Sequence, residues 1–243
     1  MSITVCNITN LNKGNEAFYL SMMLDSALEF ADEIVCVLDQ PDSNSILLNK
    51  EFINQHKNKR IKFYKLNFQE NFSLGRRLAQ DNATSDWVLW LDADEVLHEK
   101  VTEELPKILN ELAPDIDGAH VQYIHFINDF AHIDNSEPFH YGLYRLYKNF
   151  PEIKFKRETH SLPDKRWQKV VVIPNIVIFH LGYLRGMFKI RERFERNNRL
   201  GSFHLPFHQV TWRDWHYFGI YPTKLFNPED VPAVIKKHYL MEF

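Results

Sequence analysis

Asp86-Trp87-Val88-Leu89-Trp90-Leu91-Asp92-Ala93-Asp94-Glu95 is the stretch whose reading decides the fold. Five consecutive large apolar residues, Trp87 to Leu91, fit a strand buried on both faces. The run ends abruptly in three carboxylates, at the place where an open α/β sheet binds its ligands. Clustered acids repel one another and are costly unless a cation neutralises them. A hard divalent ion carrying a phosphate-bearing substrate does this, and an acidic turn capping the next helix is the plainer alternative.

On the N-terminal side of this stretch, strand and helix patterns alternate. Ile3–Ile8, Glu33–Leu38 and Ile61–Leu66 read as strands, and Asn15–Ala31, Ser45–His56 and Ser73–Asn82 as helices. Repeated βα units predict a mostly parallel central sheet with right-handed crossovers, flanked by helices. Glu99–Leu112 follows as an amphipathic helix, with Val101, Leu105, Ile108, Leu109 and Leu112 on one side. Beyond residue 114 the pattern becomes a mixed one. Strand-like pieces stand at Ala119–Phe126, Tyr141–Tyr147, Ile153–Phe155 and Val170–Ile178, then a basic helical stretch at Arg185–Arg199. The last forty residues, rich in aromatics and prolines, give no clear assignment. No low-complexity linker separates the halves, so residues 1–243 are expected to form one domain. Its first half, 1–114, would hold a nucleotide, and 115–243 would supply the acceptor side and a C-terminal extension.

Composition bounds the function. The 243 residues are 44% hydrophobic and 25% charged, ordinary for a globular protein. No apolar run approaches the roughly 18 residues of a membrane span, and no signal peptide is recognisable at the N-terminus. Cys6 and Cys36 lie in strand-like segments and read as buried thiols. Without CxxC or HExxH, zinc has no support. A cytoplasmic setting follows. The net charge of −3 hides an asymmetry: residues 1–150 hold 13 Lys+Arg against 23 Asp+Glu, whereas 151–200 hold 12 against 5. That basic segment would suit a phosphorylated donor or a polyanionic acceptor, nucleic acid included; a solvated helix face explains it equally well.

Several motifs in order resemble glycosyltransferase family 2 of the GT-A fold, in particular bacterial enzymes that build lipopolysaccharide and other surface glycans. They are Asn15-Glu16 opening the first helix, Asp32–Val35 leading to Asp39, and Phe72-Ser73-Leu74-Gly75-Arg76-Arg77-Leu78-Ala79 followed by Asp86-Trp87 and Leu91–Glu95. The last pair is similar to the family's F-S-x-x-R-N-x-A … D-W-I-L-x-L-D-A-D-E. Weaker matches are Arg145–Asn149, Glu158-Thr159-His160 and His180–Tyr183. The likeness thus spans roughly residues 3–185. The chain departs from the family in reading Asp39-Gln40-Pro41-Asp42-Ser43-Asn44-Ser45 where D-G-S-x-D-x-T is usual, and in Arg77 where asparagine is frequent.

The resemblance implies a metal-dependent, inverting transfer of a sugar from a nucleotide donor, a UDP-sugar first, to a hydroxyl on a glycan or glycolipid. It implies Mn²⁺ or Mg²⁺ on Asp94, with Asp92 reaching the ribose or a metal-bound water. His180 would complete the metal shell or touch phosphate, or else be a core histidine. Asp39 would contact the nucleobase, or serve as a turn residue before Pro41. Arg76 offers a planar fork to diphosphate or ribose, or is an ordinary surface arginine. For the base that takes the acceptor's proton, Glu158 is the first candidate, with Glu95 and His160 as competitors. The enzyme would work in the cytoplasm, peripherally at the inner membrane face. Acceptors in a modified nucleic-acid base or a protein remain open.

Two readings from other classes compete. A haloacid-dehalogenase phosphatase would use Asp92 as nucleophile and Asp94 as acid/base, but its motif belongs on the first strand. A non-catalytic carbohydrate- or nucleic-acid-binding protein would use exposed aromatics such as Trp212, Trp215 and Tyr217.

Overall fold

The structure, a computed structural model, describes residues 1–12, 15–68, 71–135, 141–150, 153, 155, 169–185 and 223–239. Its centre is an eight-stranded sheet in the order β3-β2-β1-β4-β8-β6-β9-β5. Strands β1 (Ile3–Thr9), β2 (Glu33–Asp39), β3 (Ile61–Leu66) and β4 (Trp87–Trp90) run parallel. β8 (Tyr141–Lys148) then pairs antiparallel with both β4 and β6 (Gly118–His125). β9 (Val170–His180) lies parallel to β6 and antiparallel to β5 (Glu95–Leu97). Four of the seven pairings are therefore parallel, and each antiparallel one involves β8 or β9 of the second half. This is the α/β architecture that the sequence pattern leads one to expect, a central sheet flanked by helices.

The burial pattern explains the order. Every residue of β1 and β2 is buried, as expected of central parallel strands covered on both faces. Edge strand β3 instead turns Lys62 and Lys65 to solvent, which blunts edge-to-edge pairing. On one face Val5, Ile34, Cys36 and Leu89 pack under α1 (Glu16–Leu28), α2 (Ser43–Gln55) and α4 (Glu99–Glu111). On the other, Cys6, Val35, Val37, Val88 and Trp90 meet α3 (Phe72–Asp81). Both cysteines are buried free thiols. α3 sits close because its Gly75 has no side chain: a Cβ there would lie 3.1 Å from Phe68 and 3.2 Å from Ile8. A third cluster joins Tyr19 and Met22 of α1 to Phe126, Phe179, Leu181 and Ile235 of α5 (Ala233–Tyr239).

Differences from the sequence reading are local. α2 starts two residues earlier than its periodicity suggests, because Asp42 caps it. The Asp42 carboxylate accepts from Ser45 N at 2.8 Å, and Ser45 Oγ accepts from Asp42 N at 3.2 Å. Glu95 neither ends β4 nor caps α4, but begins β5. Two short strands, β7 (His132–Asp134) and β10 (Thr223–Leu225), pair antiparallel, tying the unassigned C-terminal region back to the fold. Except for Arg185, the basic stretch 185–199 lies outside the described residues, as do Trp212, Trp215 and Tyr217.

Candidate functional site

The loop after β4 is fixed from both sides. Leu91 N donates to Cys6 O at 3.1 Å, and the buried Asn7 amide donates to Leu91 O at 2.7 Å. A buried amide in the middle of β1 thereby holds the backbone one residue before Asp92. The turn then closes on itself: Glu95 N donates to Asp92 O at 3.0 Å, and Asp92 N donates to Glu95 Oε2 at 2.8 Å.

The three carboxylates meet guanidinium groups. Arg145 of β8 donates to both oxygens of Asp92, at 3.3 and 3.0 Å, and to Glu95 Oε1 at 3.1 Å. Arg76 of α3 lies 3.7 Å from Asp92 Oδ1 and 5.0 Å above the Trp90 ring. Among the described residues Arg76 makes no hydrogen bond, and its Nε is buried without a partner. Arg185 donates to Asp94 Oδ2 at 2.7 Å, to both oxygens of Glu16 at the start of α1, and covers the Tyr19 ring at 4.6 Å. Paired charges of this kind resolve the repulsion that the acidic run creates.

Burial separates the acids. Asp92 remains 37% exposed at its side chain, whereas Glu95 is 2% exposed. Burial pushes the Glu95 carboxyl up to about 8; Arg145 pulls it back, and Asp92 pushes it further up. Asp94 is buried too, and His180 Nε2 stands 3.9 Å from its Oδ2. Glu95, His180 and His125 occupy one row across β5, β9 and β6, and the two histidines share an Nδ1···Nδ1 contact of 2.9 Å.

Asp39 ends β2 and is buried. Its Oδ1 accepts from Gln40 N at 3.0 Å and Phe68 N at 3.1 Å, and its Oδ2 accepts from Asn10 at 2.8 Å. The carboxylate thus ties together the loops that follow β1, β2 and β3. Behind the site a directed chain of hydrogen bonds runs from Trp90 Nε1 to Tyr147 Oη (2.5 Å), from Tyr147 to Gln80 (2.8 Å) and from Gln80 to Asn149 (2.8 Å). It holds fixed the ring on which Arg76 rests.

Asp39, Arg76, Asp92, Asp94, Glu95 and His180 are thus all on elements at the C-terminal edge of the parallel strands or packed against it. Asp92 and Asp94 face different partners, Arg145 with Arg76 for the first and Arg185 with His180 for the second. Glu158 and His160 lie outside the described residues. The residues that sequence reasoning left without a role are Arg145, Arg185, Glu16 and His125. Arg145 and Glu16 stand within quoted motifs; Arg185 reads as the start of a basic helical stretch, suited to a phosphorylated or polyanionic ligand or to a solvated face; His125 carries no signal.

Could the residues hold a divalent cation? Asp94 Oδ2 and His180 Nε2 offer a hard oxygen and an imidazole nitrogen, and their 3.9 Å separation is within two metal–ligand bonds of about 2.1 Å each. Among the described residues no group of three or more His, Cys, Asp or Glu is arranged to hold an ion. The pair would suit a cation that brings further ligands on a nucleotide's phosphates, in competition with Arg185 for Asp94 Oδ2.

Comparison with known proteins gives the family and the fold. Residues 14–169 match the profile of glycosyl transferase family 2. A TPR repeat-containing protein of Synechococcus elongatus is 30% identical over 145 residues, which are 52% of this chain and 32% of that protein. The chain therefore spans about a third of that relative's length. Among solved structures, S. aureus TarS matches with a TM-score of 0.52 at 14% identity, over 88% of this chain and 46% of TarS. TarS 1–349 in complex with UDP gives 0.53 at 14%, over 88% and 77%, and with UDP-GlcNAc 0.51 at 15%, over 74% and 58%. At such identities the likeness is one of fold.

Proposed function

The chain belongs to glycosyl transferase family 2, and from that premise we propose that it moves a sugar from a nucleotide donor, a UDP-sugar, to a hydroxyl of a glycan or glycolipid. The observation that carries this reading is Arg76, a guanidinium stacked on Trp90 beside Asp92 with donors to spare. Such a fork suits the oxygens of a diphosphate or ribose. The UDP and UDP-GlcNAc complexes of TarS, which shares the fold, support uridine as the base.

In this reading Asp39 places the nucleobase at the end of β2, and Asp92, held by Arg145, meets the ribose. Asp94 and His180 would hold Mn²⁺ or Mg²⁺, which when bound offsets the charge gathering on the departing diphosphate. Arg76 lends the same edge a fixed positive charge. The acceptor hydroxyl loses its proton to Glu158, with His160 as the alternative. Burial of Glu95 and the hydrogen bonds to both its oxygens support a positioning role, since it holds Asp92 N and Arg145. Inversion at the sugar carbon follows from a single displacement.

Residues 1–243 would work as one domain, with 1–114 the nucleotide-sugar half and 115–243 the acceptor half. Arg145, His180 and Arg185 reach across that division to the donor side. No helix among the described residues is long and apolar enough to cross a membrane. Action in the cytoplasm, peripherally at the inner membrane face, fits a glycolipid acceptor.

A thermal-shift panel of nucleotides and nucleotide sugars, with and without Mn²⁺, tests the reading. A ligand that binds only the folded chain raises the melting temperature by mass action. UDP and one UDP-sugar should do so, more strongly with Mn²⁺. If no nucleoside diphosphate shifts the transition, the reading is wrong.

A further inference from the structure

Strands β6 and β9 bring His125 and His180 into register, and the two rings meet Nδ1 to Nδ1 at 2.9 Å. A single hydrogen lies between two such nitrogens, so one ring donates and the other accepts. The direction matters, because the far nitrogen of His180, Nε2, is the one turned toward Asp94 at 3.9 Å. If His180 donates from Nδ1, its neutral ring presents a lone pair at Nε2. If it accepts, Nε2 carries a hydrogen and cannot ligate a cation.

We infer that His125 is a positioning residue that accepts the Nδ1 hydrogen of His180 and so keeps Nε2 open toward Asp94. This rests on the cation reading above, and gives it a determinant outside the metal-ligand set. Metal-binding histidines ordinarily donate their other N–H to a fixed acceptor, which sets tautomer and ring orientation. Here the acceptor is itself fixed. Tyr123 stacks on the His125 ring at 5.3 Å with an interplanar angle of 11°. The Tyr183 ring stands edgewise to His180 at 5.1 Å and lies 5.8 Å from His125. His180 is 4% exposed, so water does not compete freely for its nitrogens.

Two variants of the full chain separate this role from packing. His125→Phe keeps the ring against Tyr123 and removes the acceptor. His125→Asn shrinks the side chain but puts an amide oxygen near the Nδ1 position. Mn²⁺ uptake in the presence of UDP, read from the EPR signal of free Mn²⁺, should weaken about 10–100-fold in His125→Phe and stay near wild type in His125→Asn. A packing role predicts the opposite order. Wild-type affinity in His125→Phe, or equal loss in both variants, overturns the inference. Nitrogen-15 spectra of the metal-free wild-type imidazoles give an independent reading. They should show His180 protonated at Nδ1, and protonation at Nε2 overturns the inference even if no variant folds. Wild-type protein that takes up no Mn²⁺ with UDP, yet carries His180 protonated at Nδ1, overturns the cation reading while sustaining the pairing.

Discussion

Arg145 grips Asp92 with both arms, Nη1 to Oδ1 at 3.3 Å and Nη2 to Oδ2 at 3.0 Å, and the same Nη2 holds Glu95 at 3.1 Å. One buried guanidinium from β8 thereby fixes two acids of the loop leaving β4. Removing a single member of a buried charge group leaves its partners uncompensated, at about 3–5 kcal/mol. Arg145→Ala should lose that much stability in urea unfolding. Adding Glu95→Gln should change little further, because the buried Glu95 carboxyl, already pushed up to about 8, takes up a proton once Arg145 is gone, whereas Asp92 is left as the orphaned charge. A loss below about 1 kcal/mol, the size seen for surface pairs, would show that the group is not coupled as described.

The hydroxyl of Tyr147 stands between Trp90 Nε1 and Gln80 Oε1. Tyr147→Phe leaves a buried donor and a buried acceptor without that partner. Chemical denaturation should report a loss of about 1–3 kcal/mol. The same variant should also weaken UDP, since the ring supporting Arg76 loses its anchor. Unchanged stability would mean that water replaces the hydroxyl.

Glu33 predicts an acid limit to stability. Burial works against its carboxylate, but hydrogen bonds from Lys62, Thr84 and Thr4 outweigh burial and hold its pKa below the usual 4.5. A carboxylate depressed on folding stabilises the fold above its unfolded pKa, and that contribution disappears as pH falls through the folded value. Unfolding free energy of the wild type should therefore drop as pH is lowered from about 4.5. Glu33→Gln should show a shallower drop and lower stability at neutral pH. Parallel curves for the two proteins would remove Glu33 from the account.

Arg185 donates to Asp94 Oδ2, the same oxygen that His180 Nε2 approaches. Arg185→Ala should let Mn²⁺ bind several-fold more tightly in the absence of nucleotide, as measured by isothermal calorimetry. Equal affinity in the two proteins would show that Arg185 does not compete for that carboxylate.

Legibility followed locality. β1, β2 and β4 are readable because burial on both faces demands strands dominated by apolar and β-branched residues, and Gly75 and Arg76 because a motif carries them. The length of β5 was not readable: three residues directly after a turn look like the end of an acidic loop. The pairing of β7 with β10 joins segments about ninety residues apart, which no local period reports. Arg185 has the composition of a solvated helix face, and only its fold partners, Glu16 and Asp94, make it part of the site. His125 is one polar residue in a strand of mixed character, and its meaning arises from register with β9.

On the function proposed above, the edge formed by Arg76, Asp92 and Asp94 holds the diphosphate of a nucleotide sugar. Calorimetric titration of UDP with Mn²⁺ into wild type and Arg76→Met tests this, because Arg76 only approaches Asp92, at 3.7 Å, and Asp92 keeps both hydrogen bonds from Arg145 in the variant. Charge-assisted hydrogen bonds contribute about 1.5–3 kcal/mol, so the variant should bind UDP at least about tenfold more weakly while melting near the wild-type temperature. Equal affinity in both proteins, or no binding of UDP to the wild type, would contradict the account.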